Sequence, residues 1–136
     1  YGGSGLDRLY GGDQNDRLFG ELSSDQMYGG NGDDALNGGV GSDTMYGGAN
    51  ADSMLGLDED DLMFGDSGND SMDGGSGNDA MYGGTENDVM TGGAGRDVVD
   101  GGSGDDLVRT TSDDLLSGGL GTDTIDFSGL SIAFTT

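Results

Sequence analysis

GGSGNDAMY, residues Gly74 to Tyr82, opens with three glycines in four positions, continues through Asn78 and Asp79, and closes on an apolar–aromatic pair. Glycine this dense costs much entropy on folding and offers no side chains to pack. The stretch makes sense only as one member of a series. From Gly2 to Arg109 the chain divides into nines without an insertion: GGSGLDRLY, GGDQNDRLF, GELSSDQMY, GGNGDDALN, GGVGSDTMY, GGANADSML, GLDEDDLMF, GDSGNDSMD, GGSGNDAMY, GGTENDVMT, GGAGRDVVD, GGSGDDLVR. In all twelve units slot one is glycine, slot six is aspartate, and slot eight is Leu, Met or Val.

Each slot has a physical reading. The first half is rich in a residue that enters the φ > 0 region without a side-chain clash, so it forms a tight turn. Slots seven to nine place one apolar residue between two mostly polar ones, which predicts a strand of about three residues with one buried face. Strands so short must stack on copies of themselves. Slot nine is aromatic at Tyr10, Tyr28, Tyr46, Phe64 and Tyr82, eighteen residues apart, whereas the intervening units carry Phe19, Asn37, Leu55, Asp73 and Thr91. Alternate units therefore belong to different faces. The expected fold is all-β: a parallel β-solenoid with two nonapeptides per turn, six to seven turns long. Slot eight, which holds all seven methionines, faces the space between the two sheets as a thin core.

Composition sets the condition for folding. The chain has 136 residues, 27 acidic and four basic, for a formal charge of −23. Leu, Ile, Val and Phe number 24 of 136, under the rough 20% expected of a folding chain. Without a counter-charge this composition predicts disorder. With Arg8, Arg17, Arg96 and Arg109 as its only basic side chains, the chain has no patch for nucleic acid or anionic lipid. No apolar run is long enough to span a membrane. There is no histidine, cysteine or lysine, which removes the usual nucleophile–base pairs, so no enzymatic role is expected of this segment. The start at Tyr1 rather than Met reads as a piece of a longer protein.

In a two-unit turn the slot-six aspartates form two files. One holds Asp7, Asp25, Asp43, Asp61, Asp79 and Asp97; the other holds Asp16, Asp34, Asp52, Asp70, Asp88 and Asp106. Neighbours along a file would stand about 4.8 Å apart. Bare carboxylates at that separation repel by roughly 3–4 kcal/mol at an effective dielectric near 20. A cation midway would lie ~2.4 Å from each, within the calcium–oxygen range of about 2.3–2.6 Å. Magnesium wants shorter bonds, and zinc and copper prefer ligands this chain lacks. About ten Ca2+ ions would fill the gaps, and their charge nearly cancels that of the chain.

The unit GGxGxDxUx, with U an apolar residue, resembles the RTX (repeats-in-toxin) nonapeptide. The resemblance covers residues 2–109 unit by unit and resumes at GGLGTDTID, 118–126, which adds Asp123. It implies a right-handed β-roll, binding of calcium outside the cell, export by a type I secretion apparatus, and neighbouring domains of a secreted or cell-surface parent as partners. It also implies a ligand set. The carbonyls of slots two and four and the Asp of one loop share an ion with the carbonyls of slots one and three and the Asp of the loop eighteen residues on. Gly75, Gly77 and Asp79 would then meet Gly92, Ala94 and Asp97. The loops closest to the pattern supply the other carbonyl positions: Gly29, Gly30, Asn31 and Gly32; Gly38, Gly39, Val40 and Gly41; Gly74 and Ser76; Gly93 and Gly95; Gly101, Gly102, Ser103 and Gly104.

Departures mark the doubtful loops. Slot two is Glu21, Leu57 or Asp66 in three units, and slot four is Gln14, Ser23, Asn50, Glu59 or Glu86 in five. Loops 20–25 and 56–61 each lose two glycines; either their sites are impaired or their carbonyls coordinate whatever the side chain. The unit TTSDDLLS, 110–117, is one residue short, so its turn is expected to bulge while Leu116 keeps a core position. Residues 1–126 are read as the roll and 127–136, with Phe127, Leu130, Ile132 and Phe134, as a C-terminal cap. The aromatic ladder leaves two readings open: rings stacked for stability, or an outward surface for a carbohydrate or other adhesive contact.

Overall fold

A computed structural model describes residues 1–111 and 113–128. Among them there is no helix; fifteen strands follow one another at the repeat spacing. They are β1 (Gly3–Ser4), β2 (Arg8–Gly12), β3 (Arg17–Leu22), β4 (Gln26–Asn31), β5 (Ala35–Val40), β6 (Thr44–Ala49), β7 (Ser53–Asp58) and β8 (Leu62–Ser67). The second half continues with β9 (Ser71–Ser76), β10 (Ala80–Thr85), β11 (Val89–Ala94), β12 (Val98–Ser103), β13 (Leu107–Arg109), β14 (Leu115–Ser117) and β15 (Thr124–Asp126). Odd strands form one eight-stranded parallel sheet and even strands one seven-stranded parallel sheet. Each strand pairs with the strand two further on, as in Met81↔Met63 and Met81↔Val99. The result is a β-solenoid of about seven turns, two nonapeptides to the turn.

The full strands run for six residues rather than the expected three, extending from slot seven through the following slot three. Glycine hid this extension, because it carries no side chain to display alternation. In β10 the burial alternates inward at Met81 and again at Gly83. Counting back two residues from Met81 reaches Asp79, which is also buried. Each unit therefore points three residues inward, the aspartate, the apolar residue and the slot-one glycine.

The core is a single file between the sheets. Met27, Leu36, Met45, Met54, Met63, Met72, Met81, Met90, Val99 and Val108 are all at most 2% exposed, and Leu18, Leu9 and Leu116 join the file nearer its ends. Full burial of such a side chain contributes about 1.5–3 kcal/mol, but one per nonapeptide is thin support for so much ordered glycine. The short unit is absorbed by a shift in pairing offset. Val99 pairs with Leu116 and Val108 with Ile125, an offset of seventeen, and Leu116 stays against the core. Phe127 is 56% exposed, and the remaining apolar residues of the expected cap, Leu130, Ile132 and Phe134, lie outside the described residues.

Candidate metal centre

The inward pointing of slot six gives the site its form. Asp25, Asp34, Asp43, Asp52, Asp61, Asp70, Asp79, Asp88, Asp97 and Asp106 are all 3% exposed or less, while Asp7, Asp16 and Asp123 near the ends are half-buried. Each backbone N–H donates to the Oδ1 of the aspartate one turn on: Asp61 to Asp79 at 2.9 Å, Asp79 to Asp97 at 2.9 Å, Asp70 to Asp88 at 2.8 Å. The files start at Asp7 and Asp16 and run on to Asp114 and Asp123, so the short unit also contributes a carboxylate.

The second oxygen has a different fate. Oδ2 of all ten buried aspartates is enclosed without a hydrogen-bond partner. An unpaired buried carboxylate is costly, and a native structure offers it a partner. Among the described residues no arginine forms an ion pair with any of the ten. Burial pushes the carboxyls of Asp34, Asp43, Asp52, Asp61, Asp70, Asp79, Asp88, Asp97 and Asp106 up, the hydrogen bond from the preceding turn opposes it, and neighbouring carboxylates add to the rise. Asp52, Asp61 and Asp70 reach about 7, and Asp43, Asp79 and Asp88 about 6.

Backbone carbonyls face the same gaps. A methyl on Gly74 would collide with Asp79 Oδ2 and would lie 2.6 Å from the carbonyl oxygen of Gly92, so these two oxygens converge from adjacent turns. That convergence explains why slot one is always glycine. From the other side, the carbonyls of Gly75 and Gly77 press on Gly93 and Gly95, while the Ala94 carbonyl points back and accepts from Gly77 N–H at 2.9 Å. Four carbonyls and two carboxylates thus border one gap between loops 74–79 and 92–97.

The irregular loops keep this geometry. Positive φ occurs at slot two in Glu21, Leu57 and Asp66 (71–85°) and at slot four in Ser23, Asn50, Glu59 and Glu86 (74–79°). Of the eight non-glycine substitutions at these slots, Gln14 alone avoids the left-handed region. Loops 20–25 and 56–61 therefore aim their carbonyls as the glycine loops do, at a cost of about 1–2 kcal/mol for each strained residue. The loop at 110–114 is different in kind: the Thr110 hydroxyl donates to Asp114 Oδ2, and the Thr111 hydroxyl donates to the Gly93 carbonyl. Hydroxyls there contact oxygens equivalent to those left facing the gaps elsewhere.

Slot five forms a ladder that sequence reasoning missed. Backbone N–H groups of Asp33, Asn87 and Asp105 donate to Asn15, Asn69 and Asn87 side chains at 2.7–3.1 Å, and Asn78 and Arg96 do the same with Asp60 and Asn78. These bonds run from the later turn to the earlier one, opposite to the slot-six ladder. The recurrence of Asn and Asp at slot five was the available signal.

On the outer face of the even sheet, Tyr10, Tyr28, Tyr46, Phe64 and Tyr82 stack with centroids 4.9–5.1 Å apart and planes within 11°. Tyr1 and Phe19 form a similar pair on the odd sheet. Tyr28, Tyr46 and Phe64 are stacked on both faces, and Tyr10 and Tyr82, at the ends of the column, on one.

The donor set fits a hard divalent cation. It is all oxygen, it includes ten enclosed carboxylate oxygens without partners, and it is cradled by carbonyls that a Cβ would displace. Among the described residues no three His, Cys, Asp or Glu side chains converge on one point, so carboxylates alone do not complete a site. Backbone carbonyls would have to complete the shell of a bound cation.

Parallel coils with paired carboxylates between successive loops define a calcium-type repeat solenoid. The family model of the RTX calcium-binding nonapeptide repeat, four copies long, matches residues 1–36, 28–61, 37–72, 46–81, 55–90, 73–108 and 110–129, and the chain belongs to that family. It is a haemolysin-type calcium-binding repeat module. Comparison with curated proteins gives no match.

Proposed function

We propose that this module folds when it meets extracellular calcium and so supports type I secretion and stabilises a larger secreted protein. The observation that carries the reading is the set of ten buried Oδ2 atoms without partners in a chain of formal charge −23. Calcium supplies the missing positive charge and oxygen coordination. Asp79 with the carbonyls of Gly75 and Gly77 would hold an ion together with Asp97 and the carbonyls of Gly92 and Ala94. The same arrangement repeats along both files, for about ten ions.

Sites of extracellular grade, with dissociation constants of about 10⁻⁴–10⁻³ M, stay empty at cytosolic calcium and fill outside. The chain would then pass an exporter unfolded and collapse on exit. The absence of cysteine and proline suits that passage, since neither disulfides nor slow isomerisation intervene. An adhesive role for Tyr10, Tyr28, Tyr46, Phe64 and Tyr82 has weaker support, because their faces are used in stacking on each other. Circular dichroism of the chain in chelator and then in rising calcium tests the main reading. Disorder giving way cooperatively to β-structure is expected; a chain already ordered in chelator, or indifferent to calcium, would overturn it.

A further inference from the structure

Both carboxylate files cross the short unit, 110–117, with their ladder intact. Asp97 N–H donates to Asp114 Oδ1 and Asp106 N–H to Asp123 Oδ1, each at 3.0 Å. Around those bonds the two crossings differ. Between loops 101–106 and 118–123 the regular shell is kept. Asp106 Oδ2 and the Gly118 carbonyl converge at Gly101, and the carbonyls of Gly102 and Gly104 abut Gly119 and Gly121.

At the other crossing Thr110 and Thr111 stand at slots one and two, and four residues precede the aspartate where a regular loop has five. The Thr111 hydroxyl donates to the Gly93 carbonyl, the counterpart of the Gly75 carbonyl one turn earlier. Thr110, 2% exposed, donates its hydroxyl to Asp114 Oδ2, the oxygen that ten other aspartates keep enclosed without a partner. Slot-three hydroxyls elsewhere also reach slot-two carbonyls, as Ser76 reaches Leu57 at 3.2 Å and Ser103 reaches Gly84 at 3.4 Å. Those contacts are long, come from loops of full length, and leave Oδ2 of Asp61 and Asp88 unpartnered.

Ligand number decides what the difference does. Four carbonyls and two carboxylates border a regular gap, the low end of the roughly six to eight oxygens that calcium takes. At the slip the Gly93 carbonyl already has a donor. A loop one residue short cannot hold both of its carbonyls at the repeat's distance from its aspartate. Asp97 Oδ2 still lies enclosed there, so the gap keeps a ligand set, but a poorer one.

We infer that the gap bordered by Asp97 and Asp114 takes calcium last, with the Thr111 hydroxyl linking the two loops until it does and the Thr110 hydroxyl closing the end of the file without an ion. The inference rests on the calcium reading above. The roll then has two thresholds: one concentration fills the regular gaps, Asp106–Asp123 included, and a higher one completes the slip.

The test counts calcium bound to the whole chain by equilibrium dialysis over a series of free calcium concentrations. Wild type should fill one class of sites and then take a single further ion at about tenfold more calcium. Replacing TTSDD, 110–114, by GGSGDD, the sequence of 101–106, restores the full loop and both glycines. The late ion should then join the main class with the total unchanged. Thr111→Ala frees the Gly93 carbonyl but keeps the short loop, and should bring the late ion in at less calcium than wild type needs. Ser103→Ala removes a slot-three hydroxyl and should leave both classes as they are. A wild type that binds no calcium overturns the calcium reading itself. A wild type whose ions all fill in one class, a GGSGDD variant that keeps the late ion, or a Thr111→Ala variant that shifts no further than Ser103→Ala overturns the inference alone.

Discussion

The backbone N–H of Asp79 donates to Oδ1 of Asp97 at 2.9 Å, while Oδ2 of that Asp97 is enclosed with no partner. One oxygen of the carboxylate is satisfied, and the other is where a cation would bind. Asp97→Asn keeps the accepting oxygen and places a neutral amide at the second position. It should retain more structure than wild type in chelator, yet need about tenfold more calcium to complete folding. Circular dichroism against free calcium checks both, and an unchanged midpoint contradicts the coordination scheme. Asp97→Ala also strands the Asp79 N–H and should cost about a further 1–3 kcal/mol.

Glycine is required for different reasons at different slots. Gly74→Ala places a methyl where Asp79 Oδ2 and the Gly92 carbonyl meet, and should destabilise the calcium-loaded roll by about 3 kcal/mol. Gly12 has φ +115° but open space around its missing Cβ, so Gly12→Ala carries only the strain of about 1–2 kcal/mol. Thermal melting at saturating calcium ranks them, and equal losses would show that crowding at slot one is not the cause.

Carboxyls raised by burial tie calcium to protons. Asp52, Asp61 and Asp70 stand at about 7 in the metal-free fold, and Asp43, Asp79 and Asp88 at about 6, against an ordinary value of about 3.9 in an unfolded chain. Since the folded values are the higher ones, the metal-free fold binds more protons. It is least stable above pH 7 and gains stability as pH falls from 7 towards 4, with no further gain below. Calcium must displace those protons, so affinity should fall between pH 7 and pH 5. Calorimetry in two buffers of different ionisation heat should find more protons released at pH 6 than at pH 8. Equal release at both would contradict the assignment.

Tyr46 stacks on both Tyr28 and Phe64 at 5.0 Å. Tyr46→Ser breaks both contacts and should lower stability at saturating calcium by about 1–3 kcal/mol, leaving the calcium midpoint nearly in place. A shift of many-fold in that midpoint would mean the ladder takes part in ordering the loops.

Much of this was legible because the repeat exposes its own logic: invariance at slots one and six and the apolar slot eight were enough to read a two-sheet stack and its carboxylate files. What stayed hidden followed from residues with more than one physical use. Gly83 and Gly84 read as turn and proved to be strand, since a missing side chain shows no alternation. Asn69 and Asn87 stand at a slot that local pattern gave no role, and they proved to tie adjacent turns together. Glu86 looked like a backbone cost, and its hydrogen bond to Gly68 depends on a neighbour eighteen residues away, beyond any local pattern. Thr110 and Asp114 fall where the period slips, so periodicity could not place their contact.

The register has one more implication. From β1 to β13 each strand pairs with strands eighteen residues away, and the five-ring aromatic column lies on the even sheet. Excising residues 47–64 would bring matching columns together again and give a shorter roll of the same kind. Excising only 47–55 would exchange the sheets downstream of the cut, moving Phe64 and Tyr82 off the column of Tyr46. Heredity can therefore lengthen or shorten this molecule in pairs of units while leaving its cross-section intact, and a single unit is a frame error written in structure rather than in codons.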